Sequence, residues 1–81
     1  MTIRLKLFAI LRDQAGVADL PLTLPENATV STALQTLATK FPALVPHLPR
    51  AATAVNLTRS TPDTVLNDND ELALLPPVSG G

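Results

Sequence analysis

One amphipathic segment in the middle of this chain constrains the fold more than any other feature. Its apolar residues recur at i, i+3, i+4, i+7, i+8 and i+11, namely Val30, Ala33, Leu34, Leu37, Ala38 and Phe41. This spacing predicts a helix over about 30–41, with Thr29 as its N-cap and Pro42 ending it. Because a lone helix hides its apolar stripe only against another element, the flanking segments must supply a sheet.

Two segments before the helix alternate with the period of a β-strand. The first, IRLKLF, places apolar residues on one face (Ile3, Leu5, Leu7) and puts Arg4, Lys6 and Phe8 on the other. The second, ADLPLTLP, has Leu20, Leu22 and Leu24 in phase. These patterns predict two half-buried strands joined as a hairpin. Gly16 is the expected turn residue, and Pro21 favours an edge position for the second strand.

Further strands are predicted after the helix. The segment 53–59 reads as a strand built on Val55 and Leu57, and the last strand turns Leu72 and Leu74 inward. Between them, residues 67–70 form a tight turn in which Asn69 is the candidate for a left-handed conformation. The expected core is Ile3, Leu5, Val30, Leu34, Leu37, Val55, Leu72 and Leu74. The order predicts an α+β fold, with a sheet of four to five strands and one main helix packed across one face.

The residue types present exclude several kinds of chemistry. The chain has no cysteine, so it cannot form a disulfide, a thiolate metal site, a nucleophilic thiol or a persulfide of its own. Its single histidine, His47, lies in the proline-spaced stretch FPALVPHLPR and is expected on a surface loop. We therefore predict no catalytic residue and no metal site on this chain.

Charge and hydropathy narrow the possible partners. The net charge is −1 and the six Lys and Arg residues are scattered, which argues against nucleic-acid binding. No apolar run approaches the roughly 18 residues that a membrane span needs, and no signal peptide is visible. The expected location is therefore the cytoplasm, with no membrane partner.

The chain ends in LALLPPVSGG, although it holds only three glycines in all. At ordinary glycine usage, a terminal Gly-Gly arises by chance in about 0.5% of chains. The glycines follow a stiff Pro76-Pro77 pair, which is unlike an ordinary frayed end. We interpret residues 1–75 as the folded domain and residues 76–81 as an extended tail whose terminal carboxylate is the functional group.

Several stretches together resemble a known family. The chain resembles the MoaD family, the small sulfur-carrying subunits of molybdopterin synthase. The stretches that carry the resemblance are LKLFAILRDQAG near the start, AVN at 54–56 and LNDNDELALLPPVSGG at the end. Members of that family have the ubiquitin-like β-grasp fold. The chain departs from the family's pattern in three places. It has Asn69 where the family commonly has glycine, and Arg59 where the family often has an apolar residue. It also has Leu74 and Leu75 where the family often has aromatic residues.

The resemblance implies a mechanism and a set of partners. A ubiquitin-activating-type enzyme would adenylate Gly81 with ATP, and a persulfide donor would supply sulfur to form a C-terminal thiocarboxylate. The tail, comprising Pro76, Pro77, Val78, Ser79, Gly80 and Gly81, would then enter a channel in the large subunit of a heterotetrameric molybdopterin synthase. There Gly81 would donate sulfur to cyclic pyranopterin monophosphate. The carrier itself would bind no cofactor, and the catalytic residues would lie on the large subunit.

Strand parity adds a candidate interface beside the tail. Phe8 and Leu75 both fall on the solvent side of their strands, and the first and last strands of a β-grasp sheet are neighbours. We therefore predict that these two residues anchor the partner. Three alternatives stay open at this point: a sulfur carrier for thiamine thiazole synthesis or another thiocarboxylate pathway, a ubiquitin-like modifier joined to lysines through Gly81, and a passive interaction domain in which Gly-Gly is incidental.

Overall fold

The computed structural model describes residues 1–77, so the predictions for Val78, Ser79, Gly80 and Gly81 lie outside the described part. The helices and strands follow in the order β1 (Thr2–Leu7), α1 (Ala9–Ala15), β2 (Asp19–Thr23), α2 (Val30–Lys40), β3 (Ala52–Val55), β4 (Thr58–Arg59) and β5 (Glu71–Leu75). Two short 3₁₀ turns, Pro42–Leu44 and Leu48–Arg50, lie in the connection between α2 and β3.

The strands form one mixed sheet in the order β2-β1-β5-β3-β4. The central pair, β1 and β5, is parallel, and every other neighbouring pair is antiparallel. Strand β2 lies at one edge, which is where Pro21 predicted it. The predicted architecture, an α+β sheet with the main helix on one face, is confirmed.

The core lies between the sheet and α2. As the alternation predicted, Ile3, Leu5 and Leu7 of β1 are at most 2% exposed. Helix α2 begins as expected, because the Thr29 hydroxyl accepts a hydrogen bond from the Thr32 backbone N–H at 3.3 Å. The other fully buried large residues are Leu11, Leu22, Val30, Leu37, Leu44, Leu66, Leu72 and Leu74.

Two residues assigned to the core from the sequence are only partly buried, Leu34 and Val55. Leu34 lies on the flank of the α2 stripe and lines a surface groove with Val45 and Leu48. The fully buried residues of the stripe are Val30, Ala33 and Leu37. The prediction that Leu34 is a core residue was therefore wrong, because an amphipathic stripe can be wider than the surface that covers it.

A helix replaces the simple turn predicted between the first two strands. Residues Ala9–Ala15 form α1, which buries Leu11 to 1% exposure. Gly16 has φ of 80°, and its N–H donates to the Arg12 carbonyl at 2.9 Å. Gly16 is thus confirmed as the turn residue, acting as the left-handed cap of the helix. Seven residues give too few repeats for periodicity to reveal a helix.

The predicted strand 53–59 is a hairpin instead. Strand β3 pairs with β4 through Val55 and Thr58, which leaves Asn56 and Leu57 as a two-residue turn. Both turn residues have positive φ, 50° and 70°, as in a type I′ turn. Leu57 was expected to help build a strand but is 88% exposed. The turn was missed because it contains no glycine.

Candidate functional site at the base of the tail

The carboxyl ends of β1 and β5 lie side by side at the same end of the sheet, because these strands are parallel. Leu7 pairs with Leu74, so the next residues along the two strands, Phe8 and Leu75, are neighbours. Phe8 is 42% exposed and Leu75 is 37% exposed. The structure thus brings together the two residues selected from strand parity, while their role in binding stays a prediction.

Phe8 lies one residue beyond β1 and is fixed from both sides. Its N–H donates to the Leu74 carbonyl at 3.3 Å, and its carbonyl accepts from the Leu11 N–H at 3.1 Å. The next residue, Ala9, has φ of 51°, which turns the chain sharply into α1. The sheet and α1 together therefore hold Phe8 at the surface.

The first two residues of the tail, Pro76 and Pro77, lie between two clefts and line both of them. The first cleft, of about 560 Å³, is completed by Ile10, Leu11, Pro46, His47 and Arg50. The second, of about 540 Å³, is completed by Ala52, Thr53, Ala54, Leu57, Arg59 and Leu75. The base of the tail is thus a ridge with a recess on either side.

The clefts contain residues that sequence reasoning did not assign to the site. Ile10 is 39% exposed and lies on α1, the helix that the sequence did not reveal. The described part has seven exposed large apolar residues, and four of them lie at this site. Phe8 and Leu75 lie at the ends of β1 and β5, and Ile10 and Leu57 lie in the flanking clefts. This concentration is typical of a protein interface.

Charged residues at the site differ in how they are paired. Lys6 forms a long ion pair with Glu71 at 3.8 Å, and Arg12 contacts Asp13 at 3.6 Å. Arg50 and Arg59 lie in the two clefts, and neither has a carboxylate of residues 1–77 within 4.0 Å. Both arginines are exposed.

Among the described residues, the site at the ends of β1 and β5 consists of exposed side chains and two clefts. From Met1 to Pro77, no cluster of His, Cys, Asp or Glu side chains is arranged to hold a metal ion. Within the same range, no helix has the length and apolar character needed to cross a bilayer.

A five-stranded mixed sheet with parallel β1 and β5 side by side, and one helix across it, defines a ubiquitin-like β-grasp protein. The chain belongs to the ThiS family, whose model matches residues 5–81. It is 38% identical over 79 residues to the molybdopterin synthase sulfur carrier subunit of Arabidopsis thaliana, covering 98% of this chain and 82% of the plant protein. The resemblance noted from the sequence is confirmed.

Two solved structures have the same fold. SAMP1 from Haloferax volcanii superimposes with a TM-score of 0.90 at 31% identity, covering all of both chains. A chain of the complex between subunits 1 and 2 of molybdopterin-converting factor from Helicobacter pylori superimposes with a TM-score of 0.70 at 23% identity, again covering all of both chains. The fold is therefore shared by SAMP1 and by a chain of the molybdopterin-converting factor complex.

Proposed function

We propose that this chain is the sulfur-carrier subunit of a molybdopterin synthase and that the carboxylate of Gly81 carries the sulfur. The observation that carries the proposal is the similarity to the plant sulfur carrier, which extends over 98% of this chain. The composition supports it, because a chain without cysteine has no thiol on which to carry sulfur. A terminal carboxylate converted to a thiocarboxylate supplies the missing nucleophile.

The carboxylate must first be activated, because it is a poor electrophile. A carboxylate oxygen of Gly81 attacks the α-phosphorus of ATP on the activating enzyme, which forms an acyl-adenylate and releases pyrophosphate. A donor persulfide then attacks the acyl carbon and AMP leaves. A thiol reduces the resulting acyl disulfide, which yields the thiocarboxylate and a new disulfide between the thiol and the donor cysteine.

Delivery takes place on the large subunit in this proposal. The thiocarboxylate sulfur attacks a carbon of the cyclic pyranopterin monophosphate, and a C–S bond forms as a C–O bond at that carbon breaks and its oxygen leaves. Water then hydrolyses the acyl–sulfur bond, which leaves the sulfur on the pterin and restores the Gly81 carboxylate. A dithiolene contains two sulfurs, so two carriers are used for each product. This chain acts as substrate and donor, while the large subunit provides the catalytic groups.

The residue types of the tail suit this role. Gly80 and Gly81 have no Cβ, so a narrow channel can close around the backbone. Pro76 and Pro77 have fixed φ, which reduces the entropy lost when the tail enters a channel. Fully extended, residues 76–81 reach about 20 Å. The exposed pair Phe8 and Leu75 at the base of the tail then contacts the large subunit outside the channel.

The test uses two variants of the terminus, deletion of Gly81 and addition of one alanine after it. Each is incubated with the activating enzyme, ATP, a persulfide donor and a thiol, and then with the large subunit and the pterin precursor. Neither variant should deliver sulfur, while both keep the wild-type thermal midpoint. Sulfur delivery near the wild-type rate by the chain without Gly81 would refute the proposal.

A second candidate function is a protein modifier, favoured by the 31% identity to SAMP1, the small archaeal modifier protein 1 of Haloferax volcanii. In that case the adenylated Gly81 is attacked by a lysine amine, and an isopeptide bond forms. Incubation with the activating enzyme, ATP and cell extract distinguishes the two functions. Conjugates in which Gly81 is joined to a lysine side chain support the modifier, and thiocarboxylate without conjugates supports the carrier.

A further inference from the structure

The first cleft beside the base of the tail is built from three separate parts of the chain. Helix α1 contributes Ile10, the connection after α2 contributes Pro46, His47 and Arg50, and the tail contributes Pro76 and Pro77. The cleft has a volume of about 560 Å³. A space of this size lies within the range of pockets that hold small ligands.

The polar side chains of this cleft are nitrogen donors, His47 and Arg50. Both are fixed by the second 3₁₀ turn, in which the Arg50 N–H donates to the His47 carbonyl at 3.2 Å. Leu48, only 8% exposed, anchors this turn in the core. Among residues 1–77, no carboxylate side chain lines the cleft or lies within 4.0 Å of Arg50. The cleft is therefore suited to an anion that a guanidinium group can bind.

The stretch of chain that carries Arg50 has a one-sided charge. Residues 27–62 contain no Asp or Glu, although they contain Lys40, Arg50 and Arg59. All seven carboxylate side chains of the protein lie before or after this stretch. An anion that enters the first cleft therefore meets basic side chains of the connection without an acidic residue among them.

The chain's own end fits this cleft in reach and in charge. Pro77 lines the cleft, and residues 78–81 follow it. Four residues span at most about 14 Å, so a terminal carboxylate that starts from Pro77 can reach Arg50 across the cleft. A group tethered this closely has an effective concentration in the millimolar range. A separate anion of the same chemistry competes with it only at a similar concentration.

We propose that the first cleft is a resting site for the chain's own terminus, in which the Arg50 guanidinium binds the Gly81 carboxylate and Val78 packs against Ile10. Ile10 is 39% exposed, so an apolar side chain can still cover it. The terminus must leave the resting site before it enters a partner's channel, so the two compete. This inference shares with the proposed function only the free carboxylate at Gly81, and it makes no use of sulfur.

NMR relaxation of the backbone amides in the free chain at low salt tests the resting site. The order parameter of the Gly80 amide should exceed about 0.6 in the wild type and fall below that value in Arg50→Gln, as in a flexible end. Nuclear Overhauser contacts between the Val78 methyl groups and Ile10 should disappear in the same variant. Arg59→Gln is the matched control, because Arg59 is the exposed arginine of the second cleft. It should leave the order of the tail unchanged.

A second arm of the experiment leaves every side chain in place. Conversion of the Gly81 carboxylate to an amide, by ligation of a synthetic C-terminal segment, removes the charge that Arg50 binds. It should lower the order parameter of Gly80 as far as Arg50→Gln does. The two changes together should lower it no further, because both remove the same contact. Both chains should keep the wild-type thermal midpoint within a few degrees, since neither change touches the core.

The resting site is refuted if the wild-type order parameter of Gly80 already lies in the flexible range, because the terminus is then not held. It is also refuted if an ordered wild-type tail stays ordered after Arg50→Gln or after amidation. Loss of order in Arg59→Gln instead of Arg50→Gln places the terminus in the second cleft, against the proposal. None of these results bears on sulfur transfer, which deletion or extension of Gly81 tests separately.

Discussion

Truncation of Phe8 to alanine should weaken binding to the large synthase subunit by an amount that its exposure sets. A fully buried aromatic side chain removes about 200 Å² from water. Because Phe8 is 42% exposed, a partner can still cover about 80 Å², which at about 25 cal/mol per Å² amounts to roughly 2 kcal/mol. We therefore expect the dissociation constant to rise about 30-fold.

Titration calorimetry of the purified chain with the large subunit at fixed salt measures this change. Val65→Ala serves as the control, because Val65 is 51% exposed but bridges to Thr29, beside the start of α2. Both variants should keep a thermal midpoint within a few degrees of the wild type, since neither side chain belongs to the core. If Phe8→Ala binds within twofold of the wild type, Phe8 is an ordinary surface residue and the interface lies elsewhere.

Three further predictions concern stability, measured by urea unfolding. Leu37→Ala should cost about 2–5 kcal/mol because Leu37 is fully buried. Leu34→Ala on the same helix should cost clearly less, because Leu34 is only partly buried and lines a groove. Equal costs would show that the burial pattern of α2 is wrong. Gly16→Ala should cost about 1 kcal/mol through its φ of 80° alone, since a Cβ there meets nothing within 4 Å; an unchanged midpoint contradicts the left-handed cap. Thr29→Ala should cost about 1 kcal/mol by loss of the N-cap, and Thr29→Ser should restore most of it.

The parts of the fold that the sequence predicted are those with enough repeats to show a period. Helix α2 has three turns of an uninterrupted stripe, and β1 alternates over its whole length. Helix α1 has only seven residues, and the turn at Asn56 and Leu57 carries no glycine. In both of these places the surrounding tertiary structure outweighs the local signal.

The candidate site was predictable only where it follows from strand parity. Phe8 and Leu75 could be selected because both strands alternate and a β-grasp sheet pairs its first and last strands. The neighbouring Ile10 and Arg50 could not be selected. Their position depends on α1 and on the irregular connection after α2, whose path is fixed by packing of side chains such as Leu11 and Leu44 in the core.

The central claim is that sulfur is carried on the terminal carboxylate, and the intact mass of the untagged chain purified from its own cells tests it most directly. A fraction of the chain should be heavier by the exchange of one oxygen for one sulfur, and fragmentation should confine the change to Gly81. The fraction should disappear when cells lack the activating enzyme. If no such mass is found in cells that are making molybdopterin, sulfur is not carried on the terminal carboxylate of this chain.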